Sequence, residues 1–304
     1  MHIVPPKPTA QERTRIPAAA TRTWFRRFTG VCVLTLLASG PMRTAAAAER
    51  ARQHRLPQNP GTVVIAFDYE GGFTPPRQNQ EPRLAIRADG TAVVGAPFGR
   101  RKRIQGRISP QRLSKIVSFL LDELHLATFD EEKIKQAVAR ENRKRGRFVP
   151  RIADAPTTVV RIRADGREYV AKYYAVTMAA GMYPAIPELR RLEEARRFLE
   201  RLCAELSLGG PQGVARMLAL VNAELQKKFP NTPPLTERDL QGAGVNANGR
   251  VSVTFQREEN LGAKRKRVTT ANVIVPATGA EPEVKVFVRL LENNRVIQPK
   301  PGRA

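Results

Sequence analysis

Cysteine is almost absent from this chain of 304 residues, which contains only Cys32 and Cys203. Cys32 lies in an N-terminal segment that we expect to be removed, so one thiol remains. A single thiol forms neither an intramolecular disulfide nor a cysteine-based zinc site. Because Cys203 lies on the apolar face of a predicted helix, we expect a small buried hydrophobic side chain. A dimer-forming or reactive thiol is the alternative.

Histidine and the common catalytic motifs are also scarce. The chain has three histidines, and no two of them stand at metal-ligand spacing. No serine lies in a G-x-S-x-G motif, and no G-x-x-x-x-G-K or dinucleotide fingerprint occurs. The sequence therefore predicts no metal and no cofactor, and it argues against the usual serine hydrolases and nucleotide-dependent enzymes.

Long apolar runs are missing, with one exception near the N-terminus. Residues 28–38 are apolar, follow a basic stretch and precede the small residues of 45–48. The run is about half of the ~20 residues that a membrane-spanning helix needs. These features predict a secretory signal peptide over 1–48 and export to the periplasm or the extracellular space. An uncleaved N-terminal anchor is the alternative, and we expect no transmembrane segment after cleavage.

Acidic residues are few compared with basic ones, and this imbalance is the strongest signal in the sequence. The chain has 52 Lys and Arg against 28 Asp and Glu, a net charge of +24. Removing 1–48 leaves 45 basic and 27 acidic residues, so the mature charge is about +18. Outside the cytoplasm, such a chain would attract anionic envelope polymers or lipid headgroups. Aromatic residues for base stacking are scarce, which argues against a nucleic-acid partner.

Two segments predict similar hairpins. After a strand over 62–69, two apolar runs flank Ala88-Asp89-Gly90, and two more flank Ala164-Asp165-Gly166. The pentapeptide Ile-Arg-Ala-Asp-Gly occurs at both 86–90 and 162–166. A helix opened by proline follows each hairpin, at Pro110 and at Pro187. This pattern indicates a duplicated strand–DG–strand–helix unit.

The remaining periodicities complete the expected architecture. Helical spacing of apolar residues predicts helices over 113–124, 189–206 and 214–229, and an exposed helix within 130–146 that runs into a basic loop over 143–151. Alternation then predicts strands from Val251 to Val288. We expect an α+β fold, with an antiparallel sheet that has helices packed on one face and a smaller C-terminal α+β domain. The predicted segments are a linker over 49–61, the duplicated domain over 62–208, the small domain over 211–291 and a disordered tail over 292–304.

Three residues are candidates for catalysis. Asp68 and Glu70 stand two apart at the end of the first strand, so their carboxylates share a face before a glycine loop. Paired carboxylates are what glycoside hydrolysis requires. His125 follows two acidic residues and could act as a general base, although a histidine at a helix C-terminus also has a structural explanation. Solvated carboxylates at a strand end are the alternative for the acidic pair.

Two kinds of segment are candidates for binding. An apolar loop is predicted over 176–187, where flexible methionines and aromatics would suit an adaptable surface or fold onto their own core. Three basic clusters are candidates for polyanion binding. Their residues are Arg100, Arg101, Lys102 and Arg103; Arg143, Lys144, Arg145 and Arg147; and Lys264, Arg265, Lys266 and Arg267.

A resemblance covers residues 62–130. Glu70-Gly71-Gly72-Phe73, the Ala88–Thr91 hairpin and a helix that closes at 127–130 resemble a pattern in uncharacterised exported bacterial proteins. Some of those proteins carry cysteines in the first loop, which this chain lacks. The resemblance implies export and no particular activity. We therefore expect a non-enzymatic binding or scaffold protein of the cell envelope. A carboxylate-dependent hydrolase of envelope glycans and an assembly partner of another envelope protein are the alternatives.

Overall fold

The structure is a computed structural model that describes residues 54–72, 82–95, 104–146, 153–245, 250–262, 264–276, 280–292 and 295–297. The predicted signal peptide, the cluster at 100–103, Arg147 and the end of the tail lie outside these residues. The strands are β1 Val63–Glu70, β2 Leu84–Arg87, β3 Thr91–Val94, β4 Ile104–Arg107, β5 Thr157–Ala164, β6 Arg167–Tyr174, β7 Leu240–Val245, β8 Val251–Asn260, β9 Arg265–Val275, β10 Glu283–Glu292 and β11 Arg295–Ile297. The helices are α1 Pro110–Ser118, α2 Glu131–Arg145, α3 Val176–Met182, α4 Pro187–Ser207 and α5 Pro211–Lys228.

The first sheet is antiparallel, with the strand order β4-β3-β2-β1-β5-β6. β1 is central, and its Ile65 lies opposite Ile86 on one side and Ile162 on the other. Alternation sends these side chains to one face, where they form a buried core with helix residues such as Leu120 and Leu199. The expected α+β fold, an antiparallel sheet with helices on one face, is confirmed.

The two Ala-Asp-Gly segments close different turns. Asp165 and Gly166 both have positive φ, 53° and 75°, and Ala164 pairs directly with Arg167, as in a two-residue type I′ hairpin. In the first segment only Gly90 has positive φ, and Asp89 accepts the backbone N–H of Thr91 at 2.8 Å. The first hairpin continues into β4, whereas α3 follows the second. The duplication therefore stays a prediction.

Local sequence signals explain where the helices begin and end. Ser109 accepts the N–H of Arg112 at 3.3 Å and Pro110 occupies the first turn of α1. The predicted apolar face is buried, but the helix changes to a π-turn over Phe119–Glu123. Asp130 caps α2, which continues to Arg145, so the expected loop from Arg143 was wrong there.

The predicted loop over 176–187 is also corrected. Its first part is the helix α3, which buries Val176, Ala179 and Ala180 against the main core. Tyr183 is buried too, and its hydroxyl donates to Asn142 on α2 at 2.7 Å. Met178 is 56% exposed. Small side chains at helical spacing explain why the segment folds onto the core.

A second antiparallel sheet follows in the order β11-β10-β9-β8-β7. α5 covers one of its faces, where Val253, Phe255, Val273 and Val221 are fully buried. α4 packs against both β4 of the first sheet and β7 of the second. Among the described residues, no helix combines the length and the apolar character that crossing a bilayer would require.

Gly90→Ala should destabilise the fold more than Gly166→Ala does. Both glycines have positive φ, where a side chain costs about 1–2 kcal/mol. A Cβ at Gly90 would also collide with the carbonyl oxygen of Ile108, whereas a Cβ at Gly166 meets nothing within 4 Å. Urea unfolding of the two variants measures this difference. Equal losses of unfolding free energy in the two variants would show that the Ile108 carbonyl moves aside at no energetic cost.

Candidate functional site

Asp68 and Glu70 stand on the same face of β1, but each is engaged separately. Asp68 accepts the backbone N–H of Tyr69 at 2.8 Å and that of Arg83 at 3.3 Å. Glu70 is exposed and lies 3.4 Å from the guanidinium of Arg161. The first carboxylate thus holds the backbone around β2, and the second belongs to a surface ion pair.

His125 is exposed and has left-handed backbone, with φ of 52°. Its backbone carbonyl, rather than its ring, makes the local contacts, since it accepts the N–H and the hydroxyl of Thr128. The neighbouring Asp122 contacts a different histidine, His54. Its carboxylate oxygens lie 3.0 and 3.1 Å from His54 Nε2.

His54 fixes the amino-terminal arm, which we define as residues 54–62, to the first sheet. The sequence predicts a linker here, yet His54 is only 7% exposed. Its Nδ1 lies 2.6 Å from Asp165, while Nε2 faces Asp122, so both ring nitrogens meet carboxylates. The backbone of Arg55 exchanges bonds with Asp165, and Ala88 donates to Thr62. The arm therefore forms hydrogen bonds to both Asp-Gly turns.

The basic cluster at the end of α2 is exposed. Arg143, Lys144 and Arg145 form its last turn, and Arg140 lies one turn earlier. Lys144 pairs with Glu141 at 2.9 Å, and the guanidinium of Arg145 lies over the ring of Tyr183. Within the described part of the chain, no carboxylate lies within ion-pair distance of the three arginines.

The basic cluster at 264–267 is different because acidic residues oppose it. Lys264 lies in the turn, but Arg265 begins β9, where it pairs with Glu292 of β10 at 3.2 Å. Arg267 lies opposite Glu259 in the β8–β9 register, with 3.6 Å between the charged atoms. The predicted hairpin is confirmed. Only the first basic residue of the cluster lies in the turn, and two of the four basic residues are neutralised by glutamates.

A buried ionic network lies where α4 meets both sheets. Arg83 is 4% exposed and donates to the carbonyl of Gly95, to Glu200 on α4 and to the carbonyl of Ala243 on β7. Tyr69 donates to the other oxygen of Glu200 at 3.0 Å. Burial raises the pKa of the Tyr69 hydroxyl, so this group remains a proton donor.

Two turns before Glu200 on α4, Glu193 accepts hydrogen bonds from several donors. Arg196, Arg197 and Thr177 donate to its two oxygens at 2.7–2.9 Å. Burial alone would raise the pKa of Glu193, but the bonds from Arg196 and Arg197 outweigh it and lower the pKa. Perturbed groups often mark active sites. Here, however, they bond to one another, which indicates a structural role.

Cys203 is fully buried on the apolar face of α4, as the sequence predicts. Burial raises the pKa of its thiol to about 12. A thiol that is neutral at physiological pH is a poor nucleophile and a poor metal ligand. Within the described ranges, no cluster of three His, Cys, Asp or Glu side chains has the arrangement of a metal site.

A groove lies on the outside of α1 and α4. It comprises two cavities of about 590 and 500 Å³ that share Arg112 and Phe198. Phe119 from the π-turn packs against Phe198 with ring centroids 4.9 Å apart. Arg112, which lines both cavities, forms a bidentate ion pair with Glu205. π-Turns often occur at functional sites. Sequence reasoning missed this groove because its walls come from separate helices.

His54→Ala should loosen the arm and destabilise the fold by about 1–3 kcal/mol, since charged hydrogen bonds are lost. Hydrogen exchange at the amides of Arg55 and Asp165 should accelerate, because each of these amides is bonded across this junction. His125→Ala, which removes an exposed ring, is the matched control and should change neither. Unaltered exchange in His54→Ala would contradict this role of the ring.

Glu193→Gln should destabilise the fold at neutral pH and much less in acid. Because the folded pKa is depressed, the stabilisation is complete above the unfolded pKa of about 4.3 and disappears as the pH falls through the folded value. The difference in unfolding free energy, about 1–3 kcal/mol at pH 7, should therefore shrink between pH 5 and pH 3. Glu194→Gln, on the exposed side of α4, should show no such trend. A difference that stays constant over this range would refute the assignment.

Comparison of the chain with protein-family models, with curated proteins and with solved structures finds no match.

Proposed function

We propose that the protein is an exported, non-enzymatic binding protein of the cell envelope that contacts anionic polymers or lipid headgroups through the basic end of α2. One observation carries this proposal. Arg140, Arg143 and Arg145 are exposed together, and no carboxylate of the described residues lies within ion-pair distance of them. Because none of the described carboxylates neutralises these three arginines, their charge is available to an external anion.

The charge distribution along α2 supports this assignment. The first turns carry Glu131 and Glu132, which pair with Lys135. The last two turns contain four basic residues and a single acid, Glu141. Cations at a helix C-terminus also interact favourably with the helix dipole, which stabilises this arrangement without a ligand. A preformed group of cations loses little entropy when it meets an anionic surface.

The comparison with the β8–β9 hairpin strengthens the argument. The end of α2 has three consecutive basic residues and the hairpin has four, so composition alone does not favour α2. In the hairpin, Glu259 and Glu292 lie opposite the arginines, and the attraction for an external anion is partly cancelled. Within the described residues of its last two turns, the end of α2 has Glu141 as its one acid, so this end should dominate the binding.

Replacing Arg140, Arg143 and Arg145 with glutamine should weaken binding to anionic vesicles by roughly a hundredfold at low salt. Each cation near an anionic surface contributes about 1 kcal/mol, so three contribute about 3 kcal/mol. Sedimentation with phosphatidylglycerol-containing vesicles measures the loss. Binding of the unaltered protein should also fall as NaCl rises, because salt screens exposed charges.

The matched control replaces Arg265, Lys266 and Arg267 with glutamine, which removes both glutamate-paired arginines and changes the net charge by the same amount. It should weaken binding far less than the α2 variant does. Equal weakening in the two variants would mean that net charge alone drives adhesion. Adhesion of the unaltered protein that ignores salt would remove the proposal altogether. Thermal unfolding of both variants confirms that they are folded.

The two alternative functions stay predictions. For the hydrolase, the observed contacts of Asp68 and Glu70 are structural, and none of them favours a catalytic pair. For an assembly partner, the groove at Phe119 and Phe198 is a better surface than the 176–187 segment, since α3 is packed on the core.

A further inference from the structure

The strand β6 forms one edge of the first sheet and is the longest edge strand that the structure describes. It has eight residues, whereas the edge strands β4, β7 and β11 have four, six and three. β7 also packs against α4, and the carbonyl of its Ala243 accepts a hydrogen bond from Arg83. An edge with unpaired N–H and C=O groups can pair with a strand of another chain. β6 therefore offers a partner strand the longest edge.

The turn at Asp165-Gly166 fixes which residues of β6 direct their backbone groups outward. Ala164 and Arg167 close this two-residue turn and exchange hydrogen bonds, so every second residue of β6 after Arg167 is bonded to β5. The N–H of Ala175 continues this alternation, because it donates to the carbonyl of Pro156 at 3.0 Å. The backbone groups of the residues in between point away from β5. The first three of these residues are Glu168, Val170 and Lys172.

The outward groups of these three residues are open to a partner. In the part of the chain that the structure describes, the N–H and C=O groups of Glu168, Val170 and Lys172 form no hydrogen bond. All three residues are exposed, whereas Tyr169 and Ala171 between them are buried on the other face of the strand. An acid, an apolar β-branched residue and a base therefore follow one another along the open edge.

We propose that β6 pairs antiparallel with β6 of a second copy of this chain, around a twofold axis at Val170. In this register Val170 lies opposite its own copy, and Glu168 of each chain lies opposite Lys172 of the other. Each of these pairs exchanges backbone hydrogen bonds in both directions, so two six-stranded sheets become one continuous sheet. This pairing does not depend on the proposed function of α2.

The charges on the edge select this orientation and register. Opposite charges directly across a strand pair are stabilising, and like charges are destabilising. A parallel pairing in register would place Glu168 against Glu168 and Lys172 against Lys172. An antiparallel pairing centred on either charged residue would place that residue opposite its own copy, and one centred on Tyr169 or Ala171 would place a charge opposite Val170. Only the axis at Val170 matches both charges.

The ion pairs that these residues form within one chain do not prevent the pairing. Glu168 lies 2.9 Å from Arg163, and Lys172 lies 3.6 Å from Glu131. The side chains of Glu168 and Lys172 are 37% and 52% exposed. Exposed ion pairs contribute little to stability, so both side chains are free to turn toward a partner strand.

Val170→Pro tests the pairing without removing a hydrogen bond inside the chain. The N–H of Val170 points away from β5, so proline is tolerated at this edge position, yet it takes away a donor to the partner strand. Sedimentation equilibrium of the full chain should show a monomer–dimer equilibrium at micromolar to millimolar concentration, since a single strand pair is a small interface. The variant should stay monomeric and should unfold at nearly the unaltered temperature.

Charge reversal tests the register. Glu168→Lys creates two lysine–lysine contacts in a dimer and Lys172→Glu creates two glutamate–glutamate contacts, so each variant alone should dimerise roughly tenfold more weakly. A mixture of the two variants should form heterodimers about as tightly as the unaltered protein, because every charge then faces its opposite. Lys227→Glu, at an exposed position on α5, changes the net charge as Lys172→Glu does and should leave dimerisation unchanged.

Hydrogen exchange locates the contact between the two copies. The amides of Glu168, Val170 and Lys172 should exchange fast at low protein concentration and slowly at high concentration, because only the partner strand protects them. The amides of Tyr169 and Ala171 are bonded to β5 and should be protected at both concentrations.

Several results would overturn the proposal. A chain that stays monomeric up to millimolar concentration would do so, as would a dimer that Val170→Pro leaves intact. A mixture of the two charge variants that fails to restore dimerisation would exclude this register. Equal weakening by Lys227→Glu and Lys172→Glu would show that net charge, rather than the edge of β6, controls association. Thermal unfolding establishes that each variant is folded.

Discussion

The relation between the two sheets depends on one buried guanidinium. Arg83 precedes β2, yet its side chain reaches the end of β3, the middle of α4 and the backbone of β7. A buried cation is tolerated only when its charge and its donors are satisfied, and Glu200 together with two carbonyl groups meets that condition. The carbonyl of Ala243 can complete this shell only if the second sheet lies against α4. Arg83 therefore selects one arrangement of the two sheets, in addition to the apolar contacts that α4 makes with each.

The parts of the fold that could be predicted are those that local sequence patterns determine. Helical spacing gave the buried faces of α1 and α4, and the Asp-Gly turns gave both hairpins of the first sheet. The features that could not be predicted depend on strand register and on tertiary contacts. One pentapeptide closes two different turns because β5 and β6 pair up to the turn itself, whereas the carbonyl of Gly90 accepts the N–H of Ile108 in the first hairpin. The segment 176–182 carries no strong capping signal, and packing alone makes it a helix.

The same distinction explains which binding residues could be found from sequence. Runs of consecutive basic residues are visible, but whether they are neutralised is not, because Glu259 and Glu292 oppose the hairpin cations only through strand pairing. His54 is the opposite case, because the sequence predicts it within a linker. It is buried because its two carboxylate partners, which lie 68 and 111 residues away, reach it only in the folded chain.

The arm depends on a partner far along the chain. His54 and Arg55 are both bonded to Asp165, more than a hundred residues later, and closing so long a loop is entropically costly. We therefore expect the β5–β6 hairpin to form on its local turn before the arm docks. The contact between His54 and Asp165 is then completed last, on a hairpin that is already formed.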